Sequence, residues 1–323
     1  MNITAKRAAF YHDLAVLLEA GLPILRSLNT VKDGQQGHNK VIFSEVHKSI
    51  SQGNSLSESM AEHKKAFDRL DVMLVEAAEI SGKLPECFRL LANWYEFRIR
   101  LLRIMKKGLI LPCFVLSIAA FILPIPDMLL GNVTLGGYFF RVLKVLAFFY
   151  LSLLLILFIY KFMRKKHNLK NILDNSILRI PILGQAVMQL SISRYCRAFN
   201  MLYKAGVPIT KCLTQATELA GNTVVSGFFE GGAKSAAAGN IAFEGFSDRL
   251  PSEYLNLWQI GEETGELEKT VDKIAEISGD KAELIFTELA KWFPRIIYGL
   301  ICIWMASKVL SGYANMYSTQ SFY

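Results

Sequence analysis

Three stretches of this chain are long and apolar enough to cross a membrane as helices. They are residues 108–130, 142–163 and 293–316. The hydrocarbon core of a bilayer is about 30 Å thick and needs roughly 20 helical residues. Pro124 and Asp127 interrupt the first stretch, and Lys308 lies inside the third, so the second is the most regular. The hydropathy pattern therefore predicts three transmembrane helices.

The remaining long segments, residues 1–107 and 164–292, have the spacing of amphipathic helices. Apolar side chains recur at three- or four-residue intervals, as Phe10, Leu14 and Leu17 do. This is the period of an α-helix, and the alternation typical of a half-buried strand is not evident. We expect an all-α membrane protein with two helical cytoplasmic domains, a short external loop at 131–141 and an external tail at 317–323.

The two polar segments are copies of one module. The corner Ala20-Gly21-Leu22-Pro23-Ile24 recurs as Ala205-Gly206-Val207-Pro208-Ile209. Three further landmarks recur in the same order: Gly53-Asn54 as Gly239-Asn240, Glu79-x-x-Gly82-x-Leu84 as Glu262-x-x-Gly265-x-Leu267, and Pro112 as Pro294. The separation drifts by only four residues, from 186 for Gly53 and Gly239 to 182 for the two prolines. Internal repetition at a nearly constant offset indicates a duplication, with each copy leading into a span.

The charge pattern fixes the predicted orientation. The chain has a net charge of +8 and is 52% hydrophobic. Ten basic residues flank the first two spans on one side: Arg98, Arg100, Arg103, Lys106, Lys107, Lys161, Arg164, Lys165, Lys166 and Lys170. Lysine and arginine are retained on the cytoplasmic side, so the N-terminus and both bundles should be cytoplasmic and the C-terminus periplasmic. The basic excess then signals topology and contact with anionic membrane lipid, and we expect no nucleic acid partner.

Six residues in the repeated acidic segments are candidates for a site. The polar insertions fall at matching places, with Glu79 and Gly82 in the first copy and Glu262, Glu263, Gly265 and Glu266 in the second. One interpretation is a corner where glycine ends a helix while the glutamates remain in solvent. Another is a partner-binding surface, or a cation site made of carboxylate oxygens. We predict partner binding at these six residues, without a metal or cofactor.

Motifs of enzymatic chemistry fail on spacing. The segment Gly227 to Ser235 resembles a phosphate-binding loop, but Ala233 separates Gly232 from Lys234. The five histidines are scattered, and the five cysteines form no C-x-x-C pair. An enzyme is therefore not expected. A membrane transporter component is an alternative, although its ionisable residues would be expected at mid-membrane and here lie near the span ends.

Taken together, these motifs resemble the type II secretion F family, which includes the platform proteins of type IV pili. The resemblance rests on the doubled glycine-proline corner, Gly53-Asn54-Ser55-Leu56-Ser57, the doubled acidic segment and the proline opening each outgoing span. It implies a six-helix bundle for each cytoplasmic domain and no enzymatic activity. It also implies a bacterial inner-membrane platform that couples a cytoplasmic assembly ATPase to pilin extraction and polymerisation.

The implied partners are that ATPase, a pilin or pseudopilin, other inner-membrane assembly proteins and further copies of the chain. The chain departs from the family pattern in the first copy, where Ala78 and Ile80 replace the glycine and second glutamate that Gly261 and Glu263 retain. Acidic contacts are therefore expected mainly in the second copy. The short N-terminal segment favours a type IV pilus platform, with the platform of a type II secretion system as the alternative.

Overall fold

The computed structural model describes residues 3–34, 38–122, 124–125, 134–163 and 167–320, and within these residues the fold is helical without strands. This confirms the all-α prediction. The outer end of the first predicted span and the start of the external loop lie outside the described residues. The helices of the first part are α1 Ile3–Glu19, α2 Ile24–Asp33, α3 His38–Ser51, α4 Leu56–Ala61, α5 Arg69–Ser81, α6 Leu84–Ile122 and α7 Leu135–Met163. Those of the second are α8 His167–Arg179, α9 Leu183–Lys204, α10 Ile209–Leu219, α11 Thr223–Gly227, α12 Glu230–Ala237, the 3-10 helix η1 Ala242–Gly245, α13 Ser252–Thr264 and α14 Leu267–Gln320.

The repeated glycine-proline corners have the same backbone geometry. Gly21 and Gly206 both have φ of +82°, the left-handed conformation in which glycine commonly ends a helix. After Gly21, the Leu22 amide donates to the Leu17 carbonyl at 3.1 Å, and the Val207 amide donates to Leu202 at the same distance. Pro23 and Pro208 then precede α2 and α10 directly. The two copies predicted from the sequence thus share the same backbone conformation at this corner.

Side-chain caps begin two helices of the first copy. The Ser55 hydroxyl accepts from the Glu58 amide, and Glu58 accepts from the Ser55 amide, which is the capping box that the pattern Ser55-x-x-Glu58 predicts. Asp68 and Asp71 form the same reciprocal arrangement at α5. These caps satisfy amide groups that have no partner within the helix. They also bring Asp71 into the interior, where it is fully buried.

Two aromatic clusters fill the cores of the copies. In the first, the rings of Phe10 and Phe43 stack with centroids 4.2 Å apart. In the second, the rings of Tyr195 and Phe229 stack at 3.7 Å, and Trp258 packs against Phe246 at 5.0 Å. Large rings at such distances bury extensive apolar surface and add a preferred geometry. Each copy therefore has its own aromatic centre.

The chain divides into two compact units, and one of them contains most of the bundle helices of both copies, although α8 belongs to the other. The unit with most of the bundle helices comprises Met1–Leu102 and Val187–Ala282. Within it, the guanidinium of Arg197 lies 4.2 Å from the centre of the Phe97 ring. Gly279 lies so close that an added Cβ would be 2.9 Å from Ser193 Oγ and 3.5 Å from the Phe97 ring. Residues of both copies are therefore in direct contact.

The other unit, Arg103–Ala186 and Glu283–Tyr323, contains the apolar helices. Among the residues that the structure describes, one stretch is long and apolar enough to cross a membrane, Leu135–Ser152 in α7, and a shorter apolar stretch is Cys113–Ile122 in α6. Many large apolar side chains of α7 are exposed, Leu151, Leu154 and Phe158 among them. Two hydrogen bonds join α7 to α6, between the hydroxyls of Ser117 and Tyr150 and from Tyr138 to the Phe121 carbonyl.

Candidate partner-binding surface

Glu79 is bonded to the backbone at the start of another helix. It lies in the last turn of α5, and its carboxylate accepts from the amides of Leu56 at 2.7 Å and Ser57 at 2.9 Å. These are the first two residues of α4, whose amides carry the positive end of the helix dipole. A carboxylate there forms charge-assisted hydrogen bonds. Glu79 thus ties α5 to the beginning of α4.

Glu262 makes the equivalent pair of bonds in the second copy. Its carboxylate, in the last turn of α13, accepts from the amides of Ala242 at 2.8 Å and Phe243 at 2.9 Å. These residues begin the short helix η1. We call the pair Glu79 and Glu262, each with its two amides, the carboxylate clamps. Both side chains are half-buried, so the expectation that the glutamates remain in solvent is wrong for these two.

The two glycines of the candidate set end the clamp helices. Gly82 follows α5 with φ of +70°, and Gly265 follows α13 with φ of +74°. A side chain is strained in this left-handed region, which explains why glycine occurs at both corners. The next helices, α6 and α14, begin two residues later, at Leu84 and Leu267. The corner interpretation of these segments therefore describes Gly82 and Gly265 well.

Glu263 and Glu266 differ from the clamps because both are exposed. Glu263 accepts a hydrogen bond from the side-chain amide of Gln259 at 2.8 Å. Glu266 forms an ion pair with Lys269 at 2.7 Å, one turn along the start of α14. Both carboxylates are accessible to a partner because they are exposed. Exposed pairs of this kind also contribute little to the stability of the protein. The structure separates the four glutamates into two that hold the fold and two that face solvent.

The first copy presents a different surface beside its clamp. Ile80 occupies the position equivalent to Glu263 and is 85% exposed. It borders an open cleft of about 500 Å³, whose lining also includes Ser57, Glu58 and Glu76. An isoleucine this exposed is unfavourable in water. The equivalent positions therefore offer apolar chemistry in the first copy and acidic chemistry in the second.

The glycine-rich segment of the second copy serves helix packing. A Cβ added to Gly231 would lie 1.9 Å from the carbonyl oxygen of Gly245, and one added to Gly245 would lie 2.2 Å from that of Gly231. The two backbones are in contact where α12 crosses η1. Only glycine permits so close an approach. These glycines are explained without a phosphate ligand.

Among the described residues, no group of three or more histidine, cysteine, aspartate or glutamate side chains has the arrangement of a metal site. The clamps show where the carboxylates are engaged instead. Glu79 and Glu262 direct their oxygens at backbone amides, which a cation would have to displace. The cation interpretation of the acidic segments therefore has no geometric support in this part of the chain.

A buried polar network in the first copy was missed by the sequence analysis. The Tyr95 hydroxyl lies 2.9 Å from both oxygens of Asp71, and Arg7 donates to Tyr95 Oη at 3.0 Å. Arg7 also pairs with Asp68 at 2.8 Å, and Arg98 pairs with the same carboxylate at 3.2 Å. The network joins α1, α5 and α6. Its only sequence signal is the aspartate pair of the capping box, which is ordinarily solvent-exposed.

Burial and charge act oppositely on the two aspartates. Burial is the main cause that raises the pKa of Asp71 to about 6, partly offset by the hydrogen bond from the Asp68 amide. Burial would also raise the pKa of Asp68, but the hydrogen bond and charge of Arg7, with the charge of Arg98, outweigh it and lower that pKa. Asp68 is therefore the ionised partner of the arginines, while the pKa of Asp71 is raised to about 6.

Comparison with known proteins matches both copies to one family. The model of the family "Type II secretion system (T2SS), protein F" matches residues 10–126 and 195–318. The chain belongs to this family. Each match begins in the first long helix of a copy and runs through its clamp into α6 or α14. The T2SS protein F family consists of inner-membrane platform proteins, and the likeness noted from the sequence motifs is confirmed.

Individual members of the T2SS protein F family are similar along most of their length. A type IV pilus assembly protein PilC of Pseudomonas aeruginosa is 24% identical over 96% of this chain and 88% of its own. The PilC of Thermus thermophilus is 27% identical over 83% of this chain and 71% of its own. A type II secretion system protein F of Vibrio cholerae is 22% identical over 84% and 72%, respectively. A platform role in pilus assembly or protein secretion is thus supported by relatives of both kinds.

Proposed function

We propose that this chain is the inner-membrane platform of a type IV pilus machine and couples a cytoplasmic assembly ATPase to the extraction and polymerisation of pilin. The observation that carries the proposal is the doubled module. The family model matches it twice, and both copies contain the clamp. Relatives named for type IV pilus assembly cover nearly the whole chain. The platform of a type II secretion system is the alternative that the Vibrio relative favours.

The proposed membrane topology has three spans, at 108–130, 142–163 and 293–316, with both bundles and the N-terminus in the cytoplasm and the C-terminus in the periplasm. The exposed apolar surface of α7 supports the second span, because such side chains are stable in lipid and unfavourable in water. The helices α6 and α14 run without a break from the bundles into the first and third segments. Each cytoplasmic module would thereby be joined to its span by one continuous helix.

The proposed partner surface is the exposed acidic corner at Glu263 and Glu266, with the apolar corner at Ile80 as its counterpart in the first copy. Partner surfaces require accessible side chains, and these three are exposed whereas the clamp glutamates are half-buried. The six candidate residues thus divide by role. Glu79, Gly82, Glu262 and Gly265 would shape the corners, and Glu263 and Glu266 would contact the ATPase or a neighbouring assembly protein.

Cysteine accessibility in intact cells tests the topology. In a background without the five native cysteines, Asn132, Glu263 and Ser318 are replaced by cysteine one at a time. A membrane-impermeant maleimide should label the first and third sites from outside, and the second only after lysis. Labelling of the Glu263 site in intact cells would place the second bundle in the periplasm and contradict coupling to a cytoplasmic ATPase.

Pilus assembly by charge-removal variants tests the partner surface. The double variant Glu263→Ala, Glu266→Ala should reduce surface pili strongly at unchanged protein abundance. Glu276→Ala is a matched control, because Glu276 forms an exposed ion pair with Lys273 at 2.7 Å, as Glu266 does with Lys269. Normal piliation in the double variant would contradict the assigned surface. Loss of a secreted protein with normal pili would favour the secretion platform.

A further inference from the structure

The turn between α8 and α9 exposes three apolar residues in a row. Ile180 is 48% exposed, Ile182 is 57% exposed and Pro181 between them is also exposed. Arg179, the last residue of α8, is exposed beside them. The next residues turn inward, since Gly184 and Ala186 are buried. The turn therefore presents a small apolar tip with a basic residue at its edge.

The backbone of this tip is strained. Ile182 has φ of +66°, the only positive value for a residue other than glycine among the described residues. A β-branched side chain in this region clashes with its own backbone, so such a conformation persists only where other interactions hold it. Here the amides of Leu183 and Gly184 donate to the carbonyls of Pro181 and Ile180, each at 2.7 Å, and hold the turn. Both isoleucines are exposed in this conformation, which water opposes and an apolar environment around the tip would favour.

The pairing of α9 with α14 places this tip level with the section of α14 just before the third predicted span. The two helices are antiparallel, with Asn200 bonded to Asp272, Lys204 to Glu268 and Ser193 to the Ala275 carbonyl. The paired residue numbers sum to 472, 472 and 468, so the antiparallel register holds to within about one helical turn. Continued to the start of α9, this register sets Ile182 level with residues 286–290 of α14. The third predicted span begins three residues further on, at 293.

The α14 residues near this level have the composition of a membrane interface. Trp292 and Ile296 are each more than half exposed, and Lys291 is exposed as well. The Arg295 guanidinium lies 5.1 Å from the centre of a Trp292 ring. Tryptophan is enriched at headgroup depth, and lysine and arginine mark the cytoplasmic side. The tip and this section of α14 thus have matching chemistry at a matching level.

We propose that the tip formed by residues 179–182 is a membrane-binding element, with Ile180 and Ile182 in the acyl boundary of the cytoplasmic leaflet and Arg179 among anionic phospholipid headgroups. Burial in lipid removes the two isoleucines from water and offsets the strain at Ile182. The element would hold the start of the second bundle against the bilayer. This inference rests on the proposed function, because it needs the third span to lie in the membrane.

Electron paramagnetic resonance of spin-labelled protein tests the depth of the tip. The full chain, with the accessible Cys113 and Cys302 replaced by serine and Ile182→Cys carrying a nitroxide, is reconstituted in phosphatidylcholine and phosphatidylglycerol vesicles. Oxygen partitions into lipid and a nickel chelate stays in water. The label should be more accessible to oxygen than to nickel. Leu154→Cys in α7 is the lipid control, and Ile80→Cys is the water control.

Each outcome decides the proposal. A label at Ile182 that favours nickel, as at Ile80, would overturn it by placing the tip in water, and protection from both reagents would overturn it by placing another protein surface there. In both cases the Leu154 label would still favour oxygen. A Leu154 label that favours nickel would overturn the proposed spans themselves, and with them the inference.

A charge variant tests the headgroup contact. In the Ile182→Cys background, Arg179→Glu should lower the oxygen-to-nickel accessibility ratio in vesicles containing phosphatidylglycerol and change it less in phosphatidylcholine alone. An equal effect in both lipids would overturn the anionic preference. Lys211→Glu, a change of the same charge at an exposed site of the bundle, serves as control and should leave the ratio unchanged.

Discussion

Glu79 and Glu262 bond the backbone in the same way, each carboxylate accepting from two successive amides at the start of a short helix. The two residues are 183 positions apart. The first glutamate of the repeated acidic motif therefore has a structural role in both copies, and the position after it differs between them. Ile80 and Glu263, the next residues along, show that variation.

We expect Glu262→Ala to lower the free energy of unfolding by about 2 to 3 kcal/mol, because two amides of η1 lose a charged acceptor. Thermal unfolding of the purified protein in detergent measures the effect. Glu263→Ala is the matched control and should change stability by less than about 0.5 kcal/mol, as an exposed substitution does. Equal stabilities of the two variants would contradict the clamp.

Acidification should stabilise the wild-type chain relative to Asp71→Asn. Because burial raises the pKa of Asp71 from 3.8 to about 6, the folded chain holds this proton more tightly than the unfolded chain. The resulting stability is complete below pH 3.8 and is lost as the pH rises through about 6. Between about pH 5 and about pH 7.5 the free energy of unfolding of the wild type should fall by about 1 kcal/mol relative to that of the variant.

Unfolding of both proteins at several pH values measures this difference. Asp68 adds no opposing slope in that range, because its pKa is lowered below 3.8 and it stays ionised. Burial and nearby negative charge raise the pKa of Tyr95 above its usual value of 10.0, so its hydroxyl stays neutral. A difference between the proteins that does not vary with pH would show that Asp71 does not titrate there.

Two alanine substitutions a few residues apart should have different effects on the stability of the chain. Gly231→Ala should destabilise the chain, because the added methyl would meet the Gly245 carbonyl at 1.9 Å and force the backbones apart. Gly227→Ala meets nothing within 4 Å and should be neutral or stabilising by up to about 1 kcal/mol, since alanine favours a helix. The melting temperatures of the two variants, compared with that of the wild type, measure both effects. Stabilisation by both would contradict the close crossing of α12 and η1.

The contact between the copies should be measurable as a coupling energy. Arg197 is half-buried over the Phe97 ring, so Arg197→Met and Phe97→Leu should be non-additive by about 0.5 to 2 kcal/mol. A double-mutant cycle from chemical unfolding measures it. The same cycle with Phe10→Leu, a core residue of the first copy, should be additive within about 0.5 kcal/mol. Additivity in both cycles would contradict a direct interaction.

Features governed by neighbours along the chain could be predicted from the sequence. The glycine-proline corners and the Ser55 capping box depend on residues within one or two turns, and both have the expected geometry. The clamp could not be foreseen in this way. Its carboxylate and amides are separated by 23 residues between Glu79 and Leu56, and such a contact follows from packing.

The buried network was hidden for a different reason. Tyr254 stands in the second copy where Asp71 stands in the first, so comparing the copies gave no signal. Asp71 also lies in the first turn of α5, where an acidic residue normally faces water and favours the helix dipole. Only the packing of α1 and α6 over that turn excludes solvent. A local pattern cannot distinguish these two environments.

The different side chains beside the two clamps give the chain a polarity. A protein made of two identical modules would offer any partner two interchangeable binding sites. Here one module displays Ile80 and the other Glu263 at equivalent positions. Under the proposed partner surface, the first would favour an apolar partner group and the second a basic one. The proposed surface would therefore let one polypeptide bind unlike neighbours on its two halves, in a fixed order that duplication alone would not provide.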